Sequence, residues 1–347
     1  VLGNILGYMG DPANWGENIS FRPESMKAIG LSKNLKTDVI YDLDPSKLSR
    51  LLPIDTGASV HSDAIYKLLN IGREYRFSLH MVPVLNISVT PTGYLSDGGD
   101  TYASEFLVTV TTHERTPVGN VNLSAYIITA YIEMGSNRLI FDSNGTTYNV
   151  TRWDGTASFN YTAFFEYISQ QHLGNIKYVG SLLVVIGDFF GMHTMYVYPT
   201  SYTAEVCLQG IIVGNYLIFE DPDPPTHIPF EKGKNMTVAN EYTFHDVILT
   251  GMTNSSAGTS FPWLAYHNGT KFQIFELAYL EPDIYGACIV AKSRGDYYLI
   301  IFPRIPNVVD FGERTIPRGT RVVGIRRLVF VEDMAFFVDF YFWRTSG

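Results

Sequence analysis

From residue 75 onward apolar side chains recur at every second position, and this period restricts the chain to sheets. In YRFSLHM (75–81), Tyr75, Phe77, Leu79 and Met81 alternate with Arg76, Ser78 and His80, the pattern of a half-buried strand. Similar segments follow at 105–112, 124–134, 204–219, 271–280, 296–303, 326–333 and 334–343. SLLVVIGDFFG (181–191) reads as a fully buried strand and a turn. Gly, Pro, Asn and Asp clusters separate these runs, so the expected fold is mainly β: one or two β-sandwich-like domains. The turn-rich stretch 90–102 reads as a long loop. No repeat of fixed period occurs.

Ahead of the strands two short helices are expected. In LDPSKLSRLLP (43–53) Asp44 is the N-cap, Pro45 takes the first helical position, and Leu48, Leu51 and Leu52 share a face until Pro53. In SDAIYKLLNIG (62–72) Ser62 or Asp63 caps, Ile65, Leu68 and Leu69 form the face, and Gly72 stops the helix. The expected organisation is an N-terminal extension over 1–73, a β domain over 74–220 and a second over 236–347. Residues 221–235, rich in Pro, serve as a linker or loop.

Nine Asn-x-Ser/Thr triplets begin at Asn18, Asn86, Asn122, Asn144, Asn149, Asn160, Asn235, Asn254 and Asn268. About three would arise by chance at this Ser and Thr content, so the excess points to N-linked glycans on an extracellular, cell-surface protein. Composition agrees: charged residues are 17% of the chain against the usual quarter, so hydroxyls, amides and glycans must supply solubility. A net charge of −9 offers no basic field for nucleic acid. The two cysteines, Cys207 and Cys288, fit one disulfide in an oxidising compartment. That bond would close a loop of about 80 residues and contribute roughly 4.5 kcal/mol.

Catalytic constellations are scarce. IDTGAS (54–59) resembles the catalytic loop of aspartic proteases through Asp55, but no second Asp-Thr-Gly or Asp-Ser-Gly accompanies it. His61, His80, His113, His172, His193, His227, His245 and His267 form no His-x-x-x-His pair, so zinc has no support. DGGD (97–100) and EDPDP (220–224) offer clustered oxygens for calcium without the spacing of a calcium loop. No P-loop, nucleophile elbow or dinucleotide fingerprint occurs. No cofactor is expected beyond glycans.

The ordered run GDPANWG (10–16), AIGLS (28–32), LDPSKLSRLL (43–52) and IYKLLNIGREYRFSL (65–79) resembles archaeal surface proteins with class III, type IV pilin-like signal peptides. The segment LLNIG departs from their Leu-Leu-Gly by two inserted residues, and Arg327-Leu328-Val329 with the closing strand to Trp343 also fits. The resemblance implies a membrane helix upstream of residue 1, the only membrane contact expected. It also implies that Pro12 breaks that helix and that Trp15 pins the chain to the β domain. The expected role is a structural or adhesive surface glycoprotein: a pilin-like subunit, or a protein coating a filament in many copies. Self-association or other filament subunits would be its partners. Residues 1–17 are expected to reach a neighbouring subunit, and residues 20–40 to wrap their own domain. FFVDFYFW (336–343) must be central, covered or paired, because an exposed edge of that composition aggregates. The competing reading is a secreted hydrolase acting through Asp55, or a carbohydrate-binding module.

Overall fold

The computed structural model describes residues 2–34, 41–52, 57–71, 74–97, 100–136, 138–171, 175–201, 208–220, 237–243, 253–254, 266–267, 270–276, 286–293 and 296–345. The N-terminal part holds helix α1 (Leu2–Gly7), strand β1 (Tyr41–Leu43), α2 (Pro45–Ser49) and α3 (Ser62–Leu68). Then come β2 (Tyr75–Pro83), β3 (Leu85–Asp97), β4 (Asp100–Thr112), β5 (Asn122–Glu133), β6 (Arg138–Ser143), β7 (Thr147–Val150), β8 (Thr156–Asn160), α4 (Thr162–Gln171), β9 (Ile176–Phe189) and β10 (Met192–Ser201). Short strands β11 (Leu208–Gln209), β12 (Ile211–Val213) and β13 (Tyr216–Glu220) lead to β14 (Thr237–Thr243), β15 (Thr253–Asn254), β16 (Tyr266–His267), β17 (Thr270–Glu276), β18 (Gly286–Ser293) and β19 (Asp296–Pro303). The chain closes with β20 (Val309–Gly312), β21 (Val322–Val331) and β22 (Met334–Arg344).

The protein is mainly β, as the period of two dictates, with the described strands in four sheets. The largest has ten strands and runs β1-β21-β22-β10-β9-β5-β6, with β2, β20 and β7 joined at its flanks. One face packs on the N-terminal segment and on the sheets of residues 208–303 through Phe77, Ile128, Leu182, Val184, Ile218, Ile274 and Val290. The other face packs on the β3-β4-β8 sheet and α4 through Leu123, Ile127, Val185, Phe106, Val108 and Phe165. β5 and β9 are therefore covered on both sides, which is why SAYIITAYI is apolar throughout rather than alternating. This sheet also crosses the expected boundary at 221–235. β22 pairs antiparallel with β2 and parallel with β10, so residues 309–344 complete the sheet of residues 75–201.

Local chemistry explains several differences from the expected elements. Residues 90–102 are largely strand, not loop: Pro91 is tolerated because β3 is an edge strand, and the register shifts beside it at Gly93. The run 204–219 breaks into β11, β12 and β13 at Gly210 and at the Gly214-Asn215 turn. Asp44 caps α2 as expected, accepting from the backbone N–H of Ser46 and Lys47 at 2.9 and 3.3 Å. In α3 the cap position belongs to His61, and Ser62 is already helical. Pro53 and Gly72, the expected helix stops, lie outside the described residues. α1 ends at Gly7, five residues before Pro12, so Pro12 does not terminate it. α4 was not legible because TAFFEYISQQ is rich in β-favouring aromatics; its buried Phe165 and Ile168 mark the helical face.

Candidate functional site

The first organised feature lies where α2 meets the N-terminal segment. Lys47 and Arg50, three residues apart, are fully buried. Lys47 Nζ donates to the carbonyls of Met9 at 3.0 Å and Ser32 at 2.8 Å, with the Asp44 carboxylate at 3.6 Å. Arg50 donates to the carbonyls of Ala58 at 2.7 Å, Phe21 at 2.9 Å and Trp15, and its guanidinium lies 5.8 Å from the Trp15 ring. Burial depresses both side chains: Lys47 falls below the ordinary lysine value despite Asp44, and Arg50 falls to about 10. Backbone carbonyls thus replace the water that these cations give up. Trp15 is 0% exposed and donates its indole N–H to Gly30 O at 3.0 Å. A Cβ at Gly30 would sit 2.1 Å from Tyr8 O, so only glycine admits this approach.

Trp15 therefore pins the chain in the way the GDPANWG turn suggested. Leu2, Ile5 and Leu6 are buried in the same cluster, so much of residues 2–17 packs on its own chain. Met26, Ile29 and Leu31 show residues 20–34 wrapping their own domain as expected. Sequence reasoning missed Lys47 and Arg50 because cations on a short helix read as surface.

Six of the nine acceptor asparagines lie among residues with described side chains. Asn18, Asn86, Asn122, Asn149 and Asn160 are exposed and Asn144 is half-buried. Asn86 stands on the solvent face of β3, between buried Leu85 and Ile87. The amide of Asn149 is engaged: its Nδ2 donates to Ser158 O at 2.9 Å. Its triplet partner Thr151 is buried, with the hydroxyl donating to Val118 O and accepting from the Val121 N–H, both at 2.9 Å. Asn160 Nδ2 is likewise held by Glu105, at 2.8 Å. Asn235, Asn268 and the side chain of Asn254 lie outside the described residues.

Cys288 is buried in β18, while Cys207 lies outside the described residues, as do Asp55 and the EDPDP segment from Asp221 on. No cluster of three His, Cys, Asp or Glu side chains able to hold a metal occurs among the described residues. His80 meets Asp310, and His193 meets Asp333 at 2.8 Å. The described grooves, beside α3 and beside β10, bring no Ser, Thr or Cys next to a base.

Two surface features stand out from this background. Trp153 and Phe190 are each 90% exposed, at the tips of the β7–β8 and β9–β10 connections. The second feature is β21, whose residues 322–328 are all exposed although four of them are Val, Ile or Leu.

No family model and no curated protein matches the chain. Among solved structures, one similar chain is a three-immunoglobulin segment of titin, domains I67–I69 in an E-to-A mutated variant. It is 9% identical, with 70% of this chain and 82% of that chain covered and a TM-score of 0.14. A likeness at that score carries no argument.

Proposed function

We propose that the protein is an extracellular surface glycoprotein with a structural or adhesive role, one that coats or builds a filament in many copies. The observation that carries this reading is the placement of the acceptor asparagines. Five of the six with described side chains are exposed, and none of the nine lies beyond Asn268. Such a distribution suits a molecule with one sugar-coated region and one bare contact region. A disulfide between Cys207 and Cys288 belongs to the same reading, since an exported chain meets an oxidising exterior.

The test is intact-mass measurement on native material with site mapping. Added mass at Asn18, Asn86 and Asn122 is expected; the bare polypeptide mass would end the proposal. If sugar is added to the folded chain, Asn149 stays bare, because its amide and the Thr151 hydroxyl are already engaged.

A further inference from the structure

We propose that the edge of β21 left uncovered among the described residues accepts an extended, acidic strand supplied by a different protein. This deepens the assembly reading above and rests on it only for the existence of a partner. β1 covers β21 over Val329, Phe330 and Val331 alone; from Leu328 back to Val322 the strand pairs with β22 and with nothing else among the described residues. The outward N–H and C=O groups of 322–328 form the row that an added strand satisfies through its main chain.

Side chains reinforce this row. Val323 and Ile325 stand on one face and Val322 and Leu328 on the other, with Val323 at 63% and Leu328 at 43% exposure. A strand carrying β-branched residues would cover both sets at once.

Charge selects the occupant. Residues 314–331 contain Arg314, Arg318, Arg321, Arg326 and Arg327 and no acid, within a chain of net charge −9. Arg326 is engaged, its Nε and Nη2 donating to Asp339 at 2.6 and 2.8 Å and its Nη1 meeting His113 at 2.8 Å. The other four form no ion pair among the described residues. A second copy laid edge to edge would bring two arginine-bearing edges together, so the complementary strand carries Asp or Glu and comes from another chain. No acceptor triplet lies within the strand itself, since none follows Asn268. A polyanionic sugar would meet the arginines but leave the backbone row and the apolar side chains unpaired.

The probe is a capped octapeptide alternating Glu with Val and Thr, added to the full chain, with hydrogen exchange and binding as readouts. Saturating peptide is expected to slow exchange of the outward-facing amides of 322–328 at least tenfold. Reversing Arg321→Glu and Arg327→Glu together should weaken binding at least tenfold without altering the thermal midpoint. The same peptide with Lys for Glu should not bind. Unchanged exchange at saturation overturns the proposal, as does equal binding of the Lys peptide. Protection, in the dilute monomer, of the outward amides that do not bond β22 would mean that the chain covers its own edge. Protection that grows with protein concentration alone would assign the edge to a second copy. Binding of heparin with no binding of the peptide would assign the arginines to a polyanion. Each of these three results also overturns it. The glycan map is read separately, so failure here and failure of the surface-glycoprotein reading remain distinguishable.

Discussion

β21 and β22 are two strands of one hairpin, joined at the Glu332-Asp333 turn, and similar in sequence temper: VVGIRRLVFV against MAFFVDFYFWR. Their environments are opposite. β22 has β21 on one side and β2 on the other, with Phe340 and Val338 buried on one face and Trp343 and Asp339 on the other. From Val322 to Leu328 β21 pairs with β22 alone among the described residues, and its side chains there are exposed. Position in the sheet, more than hydrophobicity, decides which of two apolar strands becomes core. The arginines of β21 and the aromatics of β22 match those two fates, since charge on an edge opposes unwanted pairing and rings fill a closed interior.

Phe340→Ala should show the contrast most strongly. The ring lies 5.8 Å from that of Phe77 and is 3% exposed, so its loss should cost about 3–5 kcal/mol in denaturant unfolding. A cost below about 1 kcal/mol would mean that β22 is no more central than its partner. Next is Asp339→Asn, which removes the charge that receives two guanidinium bonds from Arg326 across the hairpin. Its expected cost is about 2 kcal/mol, because a buried carboxylate leaves and an amide cannot accept both bonds. Among the described residues this pair adds a side-chain link to the backbone ladder that joins the two strands.

A third measurement asks whether burial on both faces has the same consequence elsewhere in the sheet. Tyr131 on β5 is 1% exposed, and burial together with the Asp142 carboxylate pushes its phenol up to about 12. The folded value exceeds the unfolded one, near 10, so the contribution is complete below pH 10 and lost as pH rises toward 12. Wild type should therefore lose on the order of 1 kcal/mol relative to Tyr131→Phe between pH 9 and 11. A pH-independent difference would contradict the burial. The smallest effect is expected at the open strand: Val323→Thr should change stability by less than about 0.5 kcal/mol. A loss near that of Phe340→Ala would show that β21 is covered in solution.

Much of the architecture could be read directly because its causes are local. Asp44-Pro45 names a helix start by its cap and fixed φ, and alternation at 75–81 names a strand by its pleat. The order of strands in the sheet was not legible, since β22 meets β2 across more than 250 residues of chain and no local rule chooses that partner. The two buried cations escaped for a similar reason: Lys47 and Arg50 are inside only because carbonyls from residues 9 to 58 converge on them. Asn149 reads like any other acceptor in the chain, and only the fold reveals that its amide and its Thr151 are in use. The exposure of β21 was not legible in the sequence either, because Arg326 and Arg327 suit a solvent-facing strand without telling which neighbour it lacks.

The Arg50 fork has a mechanical consequence. Its three strong bonds end on the main chain at Trp15, Phe21 and Ala58, so they grip the path of the backbone and not the identity of any side chain there. A pull transmitted through α1 would meet the bonds at Ile5, Tyr8 and Met9 first and then reach Trp15, where the Arg50 bond and the indole bond share it. The guanidinium would then behave as a cleat around which a tether is looped, sharing a force that single bonds in series would meet one at a time.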